Sequence, residues 1–480
     1  MNITLSKKDV VWGYFAQFFS MASGILVLPL ILRLLTPEEI GMNYLMLTVG
    51  SMVSLFDFGF APQFGRNISY IFSGAQVLLK EGIELNDGEK KDVNYRLLAT
   101  MIKTAKYIYQ ILSFIVLFVM LTFGTLYIYK VTNGFSNVHN SLIIWTVYSV
   151  STFFNVYYTY YTSLLSGQGK IMETKKAMVY SKITYIVLVL VLLLSGVGLL
   201  GVCIANLIAP FVSRYLSHNY FFTKELKNKI EIFSISKKEE LELFSIIWHN
   251  SKKLGVVFIG SYAISKFGMF LAGLYLTLSE VSSYGLMMQL VGIILGISGT
   301  LFVILEPKLS ALKVTNHKLE LLRSFSFSLG VLYLLFILGA ICLLFIVPPL
   351  LIIMKSNAFL PSFGIVLLYL IVMLLEANHT FFSTIIVIGN SVPFMWVALI
   401  SGVLIAFGSY LSLSFTSLGL LGLIIVQGIV QLAYNNWKWP YVVCKEFGVN
   451  FFFRALTDFA STGFVSIFST LYKCIGSLSN

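Results

Sequence analysis

The segment Tyr107–Tyr129, YIYQILSFIVLFVMLTFGTLYIY, contains 23 residues and no charged side chain. An α-helix needs about 20 apolar residues to cross a hydrocarbon core of about 30 Å, so this segment predicts a transmembrane helix. Backbone polar groups in lipid must be satisfied within the segment itself, which favours helices. Eleven further segments are similar in length and character, namely Trp12–Leu32, Asn43–Pro62, Leu142–Leu165, Ala177–Ser195, Leu199–Phe222, Leu254–Leu276, Ser283–Leu305, Phe325–Met354, Pro361–Ile388, Pro393–Phe415 and Ser417–Tyr441. The sequence therefore predicts an all-α polytopic membrane protein with twelve transmembrane helices.

The composition excludes several classes of protein. Hydrophobic side chains make up 58% of the 480 residues and charged ones 11%, and the mean hydropathy is +0.87. Soluble domains are about one quarter charged, so an ordinary soluble enzyme, a disordered protein and a secreted disulfide scaffold are excluded. The four cysteines lack the paired spacing of zinc or redox sites. Phosphate-loop, HExxH and GxSxG motifs are absent from the sequence, so we expect no enzymatic activity and no cofactor.

The cations predict the orientation of the chain, because cytoplasmic loops of membrane proteins are enriched in lysine and arginine. With the N-terminus inside, 29 of the 33 cations fall on the inner side. The outer loops hold Arg33, Lys130 and Lys355, and Lys266 lies within a span. Both termini are therefore predicted to be cytoplasmic, with Arg33 as an interfacial anchor or a gate of the outer vestibule. In so apolar a chain, the excess of cations indicates an anionic membrane surface rather than nucleic acid.

A short internal repeat appears when the sequence is shifted by 241 positions, which aligns Leu35–Ile40 (LTPEEI) with Leu276–Val281 (LTLSEV). Six spans in each half give both halves the same orientation. The repeat therefore predicts two six-helix bundles related by a pseudo-two-fold axis along the membrane normal; chance similarity between apolar sequences is the alternative. The expected domains are an N-terminal bundle at 1–222 with a cytoplasmic loop at about 63–106, a cytoplasmic linker at 223–253, a C-terminal bundle at 254–441 and a cytoplasmic tail at 442–480.

Ionisable side chains at membrane depth are costly and therefore mark functional positions. Lys266 lies near the middle of its predicted span, where a cation could line a cavity for an anionic substrate; a salt bridge to Glu376 or Asp57 is the alternative. Glu376 and His379 share one helical face, so they could exchange a proton, hold a coupling cation or form a purely structural polar pair. Asp57 could also couple an ion, or it could pair with Arg66 and clamp the inner end of its span.

Two further clusters could contact a sugar. Gln427, Gln431 and Asn435 follow one another at four-residue steps and form a stripe of amides, which could bind hydroxyl groups or make hydrogen bonds between helices. Tyr157 and Tyr161 belong to a tyrosine cluster that could stack on sugar rings. Such clusters also occur as belts at the membrane interface.

One stretch of the sequence resembles a known family. After the first span comes Arg33–Gly41, RLLTPEEIG, followed by Asp57–Phe60, DFGF, and then by Arg66, Ser69 and Gly74-Ala75. Together with the twelve predicted spans, these residues resemble the polysaccharide-transporter family, in particular the Wzx-type O-antigen flippases of the multidrug/oligosaccharidyl-lipid/polysaccharide exporter superfamily. The resemblance implies two six-helix bundles around a central cavity that opens alternately to the two sides of the membrane.

The resemblance also implies a substrate, a location and partners. The substrate is an undecaprenyl-pyrophosphate-linked oligosaccharide of lipopolysaccharide or related polysaccharide biosynthesis, moved to the periplasmic leaflet of the bacterial inner membrane. The driving ion is H⁺ or Na⁺, and the partners are membrane lipids, a polysaccharide polymerase and a chain-length regulator. Lys266, Arg33 and Arg66 would then contact the pyrophosphate, and the amide stripe with Tyr157 and Tyr161 would contact the sugars.

Two other classes of protein remain as alternatives. A multidrug or metabolite exporter of the same superfamily shares the topology, but a site for organic cations should be lined by acids rather than by bases. A membrane-embedded polysaccharide polymerase should carry a large periplasmic loop with arginines, whereas the predicted outer loops are short.

Overall fold

The computed structural model describes residues 7–79, 92–314, 318–388 and 393–448. Over these ranges the regular structure is helical, with no β-strand. Eight of the described helices are long and apolar enough to cross a membrane, and the apolar segment Phe18–Leu34 is a shorter candidate. The chain is therefore a multi-pass membrane protein with an all-helical fold, as the sequence predicts. The number of twelve spans stays a prediction.

The chain divides into two compact units. Unit 1 comprises Met1–Ser282 and Ser356–Ala358, and unit 2 comprises Ser283–Lys355 and Phe359–Asn480. The α-helices of unit 1 are α1 (Lys7–Leu34), α2 (Pro37–Phe56), α3 (Phe60–Phe72), α4 (Tyr95–Val119), α5 (Thr125–Val131), α6 (Ser141–Tyr157), α7 (Thr159–Gly167), α8 (Ile171–Leu194), α9 (Leu199–Phe221), α10 (Lys224–Ile230), α11 (Lys237–Ser265) and α12 (Phe267–Tyr275). Helix α13 (Leu278–Val314) continues into unit 2, which also holds α14 (Lys318–Ile341), α15 (Val347–Ile353), α16 (Phe363–Ile388), α17 (Met395–Phe415), α18 (Leu420–Ala433) and α19 (Asn435–Phe447). The domain limits expected from the sequence stay a prediction.

The predicted second span, Asn43–Pro62, is not one continuous helix. Helix α2 ends at Phe56 and α3 begins at Phe60. Between them, Phe58 and Gly59 have φ angles of 45° and 76°. These values lie in the left-handed region, which a continuing right-handed helix does not allow. The chain therefore turns within the predicted span.

The predicted seventh span, Leu254–Leu276, corresponds to the second half of α11 followed by α12. Lys266 separates these helices, with φ −128° and ψ −25°, which are outside the α-helical range. Its backbone N–H still donates to the carbonyl oxygen of Tyr262 at 2.8 Å. The helix is therefore interrupted at one residue, and that residue is the lysine predicted to lie deep in the span.

The two aligned segments of the internal repeat start their helices in the same way. The Thr36 N–H donates to Glu39 Oε2 at 2.9 Å, and the Glu39 N–H donates to Thr36 Oγ1 at 3.2 Å. The same two bonds join Thr277 and Glu280, at 2.9 and 3.3 Å. Each pair is a capping box, which satisfies N–H groups at the start of a helix. The short sequence match thus has a structural counterpart at the start of α2 and at the start of α13.

A second correspondence is found between α4 and α14. Helix α4 has 25 residues and is followed by a five-residue π-helix, Met120–Gly124, and by the seven-residue α5. Helix α14 is likewise followed by a five-residue π-helix, Cys342–Ile346, and by the seven-residue α15. Because π-helices are rare, their matched position supports an internal duplication more strongly than the sequence match does.

Each unit has its own hydrophobic core. In unit 1, Phe64 of α3, Tyr109 of α4 and Leu164 of α7 are almost completely buried in one cluster. In unit 2, the rings of Phe325 and Phe382 meet edge to face, with centroids 5.2 Å apart, and join α14 to α16. These contacts fix the helices that carry the polar residues described below.

Candidate functional site

Unit 1 contains a cavity of about 790 Å³. It is lined by residues of α2, α3, α4, α6, α7, α9 and α11, by Asp57 between α2 and α3, and by Lys266 between α11 and α12. Its polar lining includes Asp57, Tyr109, Asn155, Tyr262 and Lys266. Ligand sites are typically concave and mostly apolar, with a few placed polar groups. This cavity is therefore the candidate binding site of unit 1.

Lys266 lies at the interruption between α11 and α12, and its exposed side chain lines the cavity. Ser261 and Ser265, from the last turns of α11, belong to the same lining. Among the described residues of unit 1, no carboxylate forms an ion pair with Lys266. A salt bridge to Asp57, one of the two pairings considered from the sequence, is therefore not formed. The cavity thus presents a cation to any anionic ligand.

Two donors hold the carboxylate of Asp57 at the turn between α2 and α3. The Tyr109 hydroxyl donates to Oδ1 at 2.6 Å, and the Ala61 N–H donates to Oδ2 at 3.2 Å. Arg66 is exposed and instead donates to Gln63 Oε1 at 2.5 Å. The Asp57–Arg66 clamp considered from the sequence is therefore not formed. Asp57 joins the end of α2 to α4.

Sequence reasoning missed a second cation next to the cavity. Arg214 of α9 is 9% exposed, and its Nη2 donates to Oδ1 of the cavity-lining Asn155 at 2.7 Å. Its guanidinium carbon lies 4.4 Å from the ring centroid of Phe211 and 5.1 Å from that of Tyr158. Its Nη1 is buried and has no hydrogen-bond partner in the described part of the chain. The cation count places Arg214 on the inner side, because this residue lies near the end of the predicted span Leu199–Phe222. Its position inside that span is the sequence feature that could have marked it as a candidate functional residue.

The tyrosine cluster lies at the junction of α6 and α7. The rings of Tyr158 and Tyr161 stack with centroids 5.5 Å apart, and Tyr157 meets Tyr158 edge-on at 4.7 Å. The cavity lining includes the nearby Asn155 rather than Tyr157 or Tyr161. The cluster therefore packs on itself and, through Tyr158, on Arg214.

Arg33 is exposed in the last turn of α1, and its carbonyl oxygen accepts a hydrogen bond from Asn357 Nδ2 at 3.1 Å. The backbone N–H of Asn357 also donates to the carbonyl oxygen of Leu32 at 2.6 Å. These bonds attach the segment Ser356–Ala358 to unit 1. Neither Arg33 nor Arg66 belongs to the cavity lining.

The glutamate–histidine pair and part of the amide stripe form one polar network in unit 2. His379 Nε2 lies 3.7 Å from Glu376 Oε1, and Gln431 Nε2 donates to the same carboxylate oxygen at 3.2 Å. Asn435 Nδ2 donates to Gln431 Oε1 at 2.6 Å, and His379 Nδ1 lies 2.8 Å from Asn436 Oδ1. The structure thus brings together residues that the sequence presents as two separate candidates.

Two atoms of this network are left without partners. Glu376 Oε2 and Asn436 Nδ2 are buried and make no hydrogen bond to the described residues. An unsatisfied buried carboxylate oxygen is costly, which favours the binding of a proton or a cation there. Gln427, the third amide of the stripe, contacts Met373, with Nε2 4.0 Å from the sulfur. No group of three or more His, Cys, Asp or Glu side chains suited to a metal occurs in the described ranges.

No protein-family model and no curated protein matches this sequence. Solved structures do match the fold. An inward-facing multidrug resistance MATE family transporter of the MOP superfamily gives a TM-score of 0.62 at 14% identity, over 90% of this chain and 95% of that one. The lipid II flippase MurJ, in an inward closed conformation, gives 0.57 at 13% identity, over 95% and 91% of the two chains. A MOP superfamily transporter from Pyrococcus furiosus gives 0.52 at 14% identity, over 92% and 95%. The chain therefore has the fold of MOP-superfamily transporters.

Proposed function

We propose that this chain is a flippase that moves undecaprenyl-pyrophosphate-linked O-antigen or related polysaccharide repeat units across the bacterial inner membrane. It would work by alternating access, from the cytoplasmic to the periplasmic leaflet, within the predicted twelve-span arrangement of two related bundles. The observation that carries the proposal is the cavity of unit 1, where Lys266 has no carboxylate partner among the described residues of that unit.

The charges around the cavity suit an anionic headgroup. Two unit charges about 4 Å apart attract by about 4 kcal/mol at an effective dielectric of 20. One lysine therefore contributes substantially but does not by itself offset the desolvation of a pyrophosphate. Arg214 supplies a second cation next to the cavity, where it donates a hydrogen bond to Asn155. The carboxylate of Asp57 already accepts hydrogen bonds from Tyr109 and Ala61. The balance of the site thus favours an anion.

The polar lining also suits an oligosaccharide. The cavity combines the amides of Asn155 and Asn206 with the hydroxyls of Tyr148, Ser151 and Thr152. Amides and hydroxyls both donate and accept hydrogen bonds, as sugar hydroxyls require. Tyr157 and Tyr161, which lie at the junction of α6 and α7 outside the described cavity lining, would stack on the sugar rings.

The energy source we propose is an H⁺ or Na⁺ gradient acting at Glu376 and His379. An ion bound at Glu376 Oε2 would satisfy a buried oxygen that has no hydrogen-bond partner among the described residues. Ion binding there would favour one state of the transport cycle over the other. Gln431 and Asn435 would then orient the carboxylate rather than contact the sugar.

A multidrug or metabolite exporter is the second candidate, since it would have the same fold. A site for an organic cation needs carboxylates that are free to pair with it. Asp57 is the one carboxylate in the described lining of the cavity, and Tyr109 and Ala61 already donate to it. This observation favours the flippase over the exporter.

The decisive experiment uses purified protein in proteoliposomes and a fluorescent prenyl-pyrophosphate-linked oligosaccharide, with dithionite reduction reporting the leaflet of the probe. We expect fast translocation of this lipid and slow translocation of the same oligosaccharide on an uncharged prenol. Equal rates for both lipids would contradict the proposal, as would ethidium export without lipid translocation. In cells, deletion of the gene should cause the lipid-linked intermediate to accumulate on the cytoplasmic side, upstream of the polymerase and the chain-length regulator.

A further inference from the structure

A second hollow in unit 1 differs in its lining from the cavity that contains Lys266. It is a cleft of about 300 Å³ between α4, the start of α11 and the turn that precedes α3. Its wall is aromatic and aliphatic, with Phe58, Phe60, Ile108, Leu112, Phe244 and Trp248. Tyr109, one residue from Ile108, lines the cavity that contains Lys266 instead. The cleft and the cavity therefore lie on different faces of α4.

The position of the cleft along α4 corresponds to the boundary between water and hydrocarbon. Helix α4 carries Arg96, Lys103 and Lys106 in its first turns, and the uncharged segment Tyr107–Tyr129 follows directly. The cleft spans this change, because Thr104 and Ile111 both line it. Apolar side chains at its rim are open to the surroundings, since Ile111 is 42% exposed and Leu241 is 56% exposed. A lipid chain in the membrane can therefore reach the cleft.

The mouth of the cleft carries an excess positive charge. Glu240 pairs with Lys103 at 2.8 Å, so this carboxylate is already neutralised. Lys237, at the start of α11, lines the cleft with its Nζ 5.7 Å from the ring centroid of Tyr107, and it has no carboxylate partner among the described residues. An apolar cleft with one uncompensated cation at its mouth is complementary to a molecule with an apolar chain and an anionic head.

We propose that this cleft binds one anionic phospholipid of the cytoplasmic leaflet, with an acyl chain between α4 and α11 and the phosphate on Lys237. Lysines near a membrane surface each contribute about 1 kcal/mol to the binding of anionic lipids. The preference of the cleft for anionic over zwitterionic phospholipids is therefore modest and depends on Lys237. The bound lipid would hold the start of α11 against α4. This site is separate from the transport cavity and does not depend on the identity of the transported substrate.

The test is native mass spectrometry of the purified full chain, equilibrated with equal amounts of phosphatidylglycerol and phosphatidylcholine that have identical acyl chains. We expect the wild type to retain one phosphatidylglycerol with about fivefold preference, the factor that about 1 kcal/mol provides. Lys237→Ala should remove the preference. Lys238→Ala is the matched control, because Lys238 is exposed beside Lys237 but does not line the cleft, and it should keep the preference.

A second pair of variants tests the apolar part of the site. Ile111→Trp should fill the cleft and abolish retention of both lipids. Ile115→Trp is its control on the same helix, since Ile115 has the same exposure of 42% and does not line the cleft. Equal retention of the two phospholipids by the wild type, or undiminished retention in Ile111→Trp, would overturn the proposal. Stronger retention of undecaprenyl phosphate than of phosphatidylglycerol would overturn the assignment to a phospholipid.

Discussion

Arg214 donates a 2.7 Å hydrogen bond to Asn155, so a buried guanidinium orients a side chain of the cavity wall. A hydrogen bond to a charged group contributes about 1.5–3 kcal/mol. We expect Arg214→Gln to lower both the thermal stability and the rate of lipid translocation. Arg214→Lys should recover part of each, because it keeps the charge but loses the planar stacking on Phe211 and Tyr158.

The control for Arg214 is Lys182→Gln in α8. Lys182 is a cation of a membrane helix whose Nζ lies 6.0 Å from the ring centroid of Tyr185, and it does not line the cavity. Translocation and the unfolding temperature should be measured on the same preparations. An Arg214→Gln protein with the translocation rate of the Lys182→Gln protein would show that Arg214 has no role in transport.

Lys266 should determine the affinity for the pyrophosphate. We expect Lys266→Ala to slow translocation at least tenfold, since a loss of about 1.4 kcal/mol already gives that factor. Lys266→Arg should keep part of the activity, because arginine retains the charge and can bind phosphate oxygens with two nitrogens. If the lysine served only to balance Asp57, the Lys266→Ala/Asp57→Asn double variant would recover the wild-type rate. Initial rates at matched protein levels distinguish these results.

Glu376 should be needed for coupling to the ion gradient but not for movement of the lipid itself. We expect Glu376→Gln to lose gradient-driven accumulation of the lipid probe while equilibration without a gradient continues. Gln427→Leu is the matched control, because Gln427 lies in the same stripe but contacts Met373 rather than the carboxylate. Unchanged accumulation in Glu376→Gln, measured with H⁺ and with Na⁺ gradients, would exclude this carboxylate as the coupling site.

The helical class and the chemistry of these candidates follow from local features of the sequence. The four-residue step from Gln431 to Asn435 predicts a shared face, and the two side chains do bond to each other. The contact of Gln431 with Glu376 spans 55 positions. Local spacing contains no information about such a contact, because it depends on how α16 packs against α18. This is why the sequence presents one network as two sites.

The interruptions of the membrane helices are harder to predict from the sequence than the helices themselves. Hydropathy reports whether a segment suits the thickness of a bilayer, not whether its backbone is continuous. Glycine favours turns, and Gly59 lies within the second predicted span. Because its neighbours are mostly apolar, hydropathy still predicts one continuous helix there. Lysine does not favour turns, so nothing in the local sequence predicts that the helix is interrupted at Lys266. Its charge predicts only that the position is functional. Arg214 was missed for the related reason that a cation near the end of a span resembles a loop cation.

The two capping boxes should differ in their contribution to stability, although their geometry is alike. Loss of an N-terminal cap typically costs about 1 kcal/mol. Glu39 also accepts a hydrogen bond from the backbone N–H of Leu199 at 3.3 Å, which links α2 to α9. We therefore expect Glu39→Ala to lower the free energy of unfolding more than Glu280→Ala does. Equal losses in denaturant titrations of the two variants would show that the bond to Leu199 contributes nothing.

The distribution of cations predicts a topology that labelling can test. Cysteines introduced at Lys8, Lys90, Lys237 and Lys473 should react only after the membrane is permeabilised; Lys90 and Lys473 lie outside the described residues. Cysteines at Lys130 and Lys355 should react from outside in intact cells. The parent protein should lack all four native cysteines, Cys203, Cys342, Cys444 and Cys474, so that it gives no background signal. Labelling of positions 90 and 237 from opposite sides would refute the predicted orientation.

The paired π-helices bear on the ancestry of the chain. The hydrogen bonds of a π-helix span five residues rather than the four of an α-helix, and the insertion of a single residue into a continuous helix produces one. The chain carries such a segment, five residues long, at matching positions after α4 and after α14. Two independent insertions at the same point would be a coincidence. A single insertion in a shorter ancestral gene, followed by duplication and fusion of that gene, accounts for both, and it implies that the irregular helix is older than the two-unit chain that now contains it.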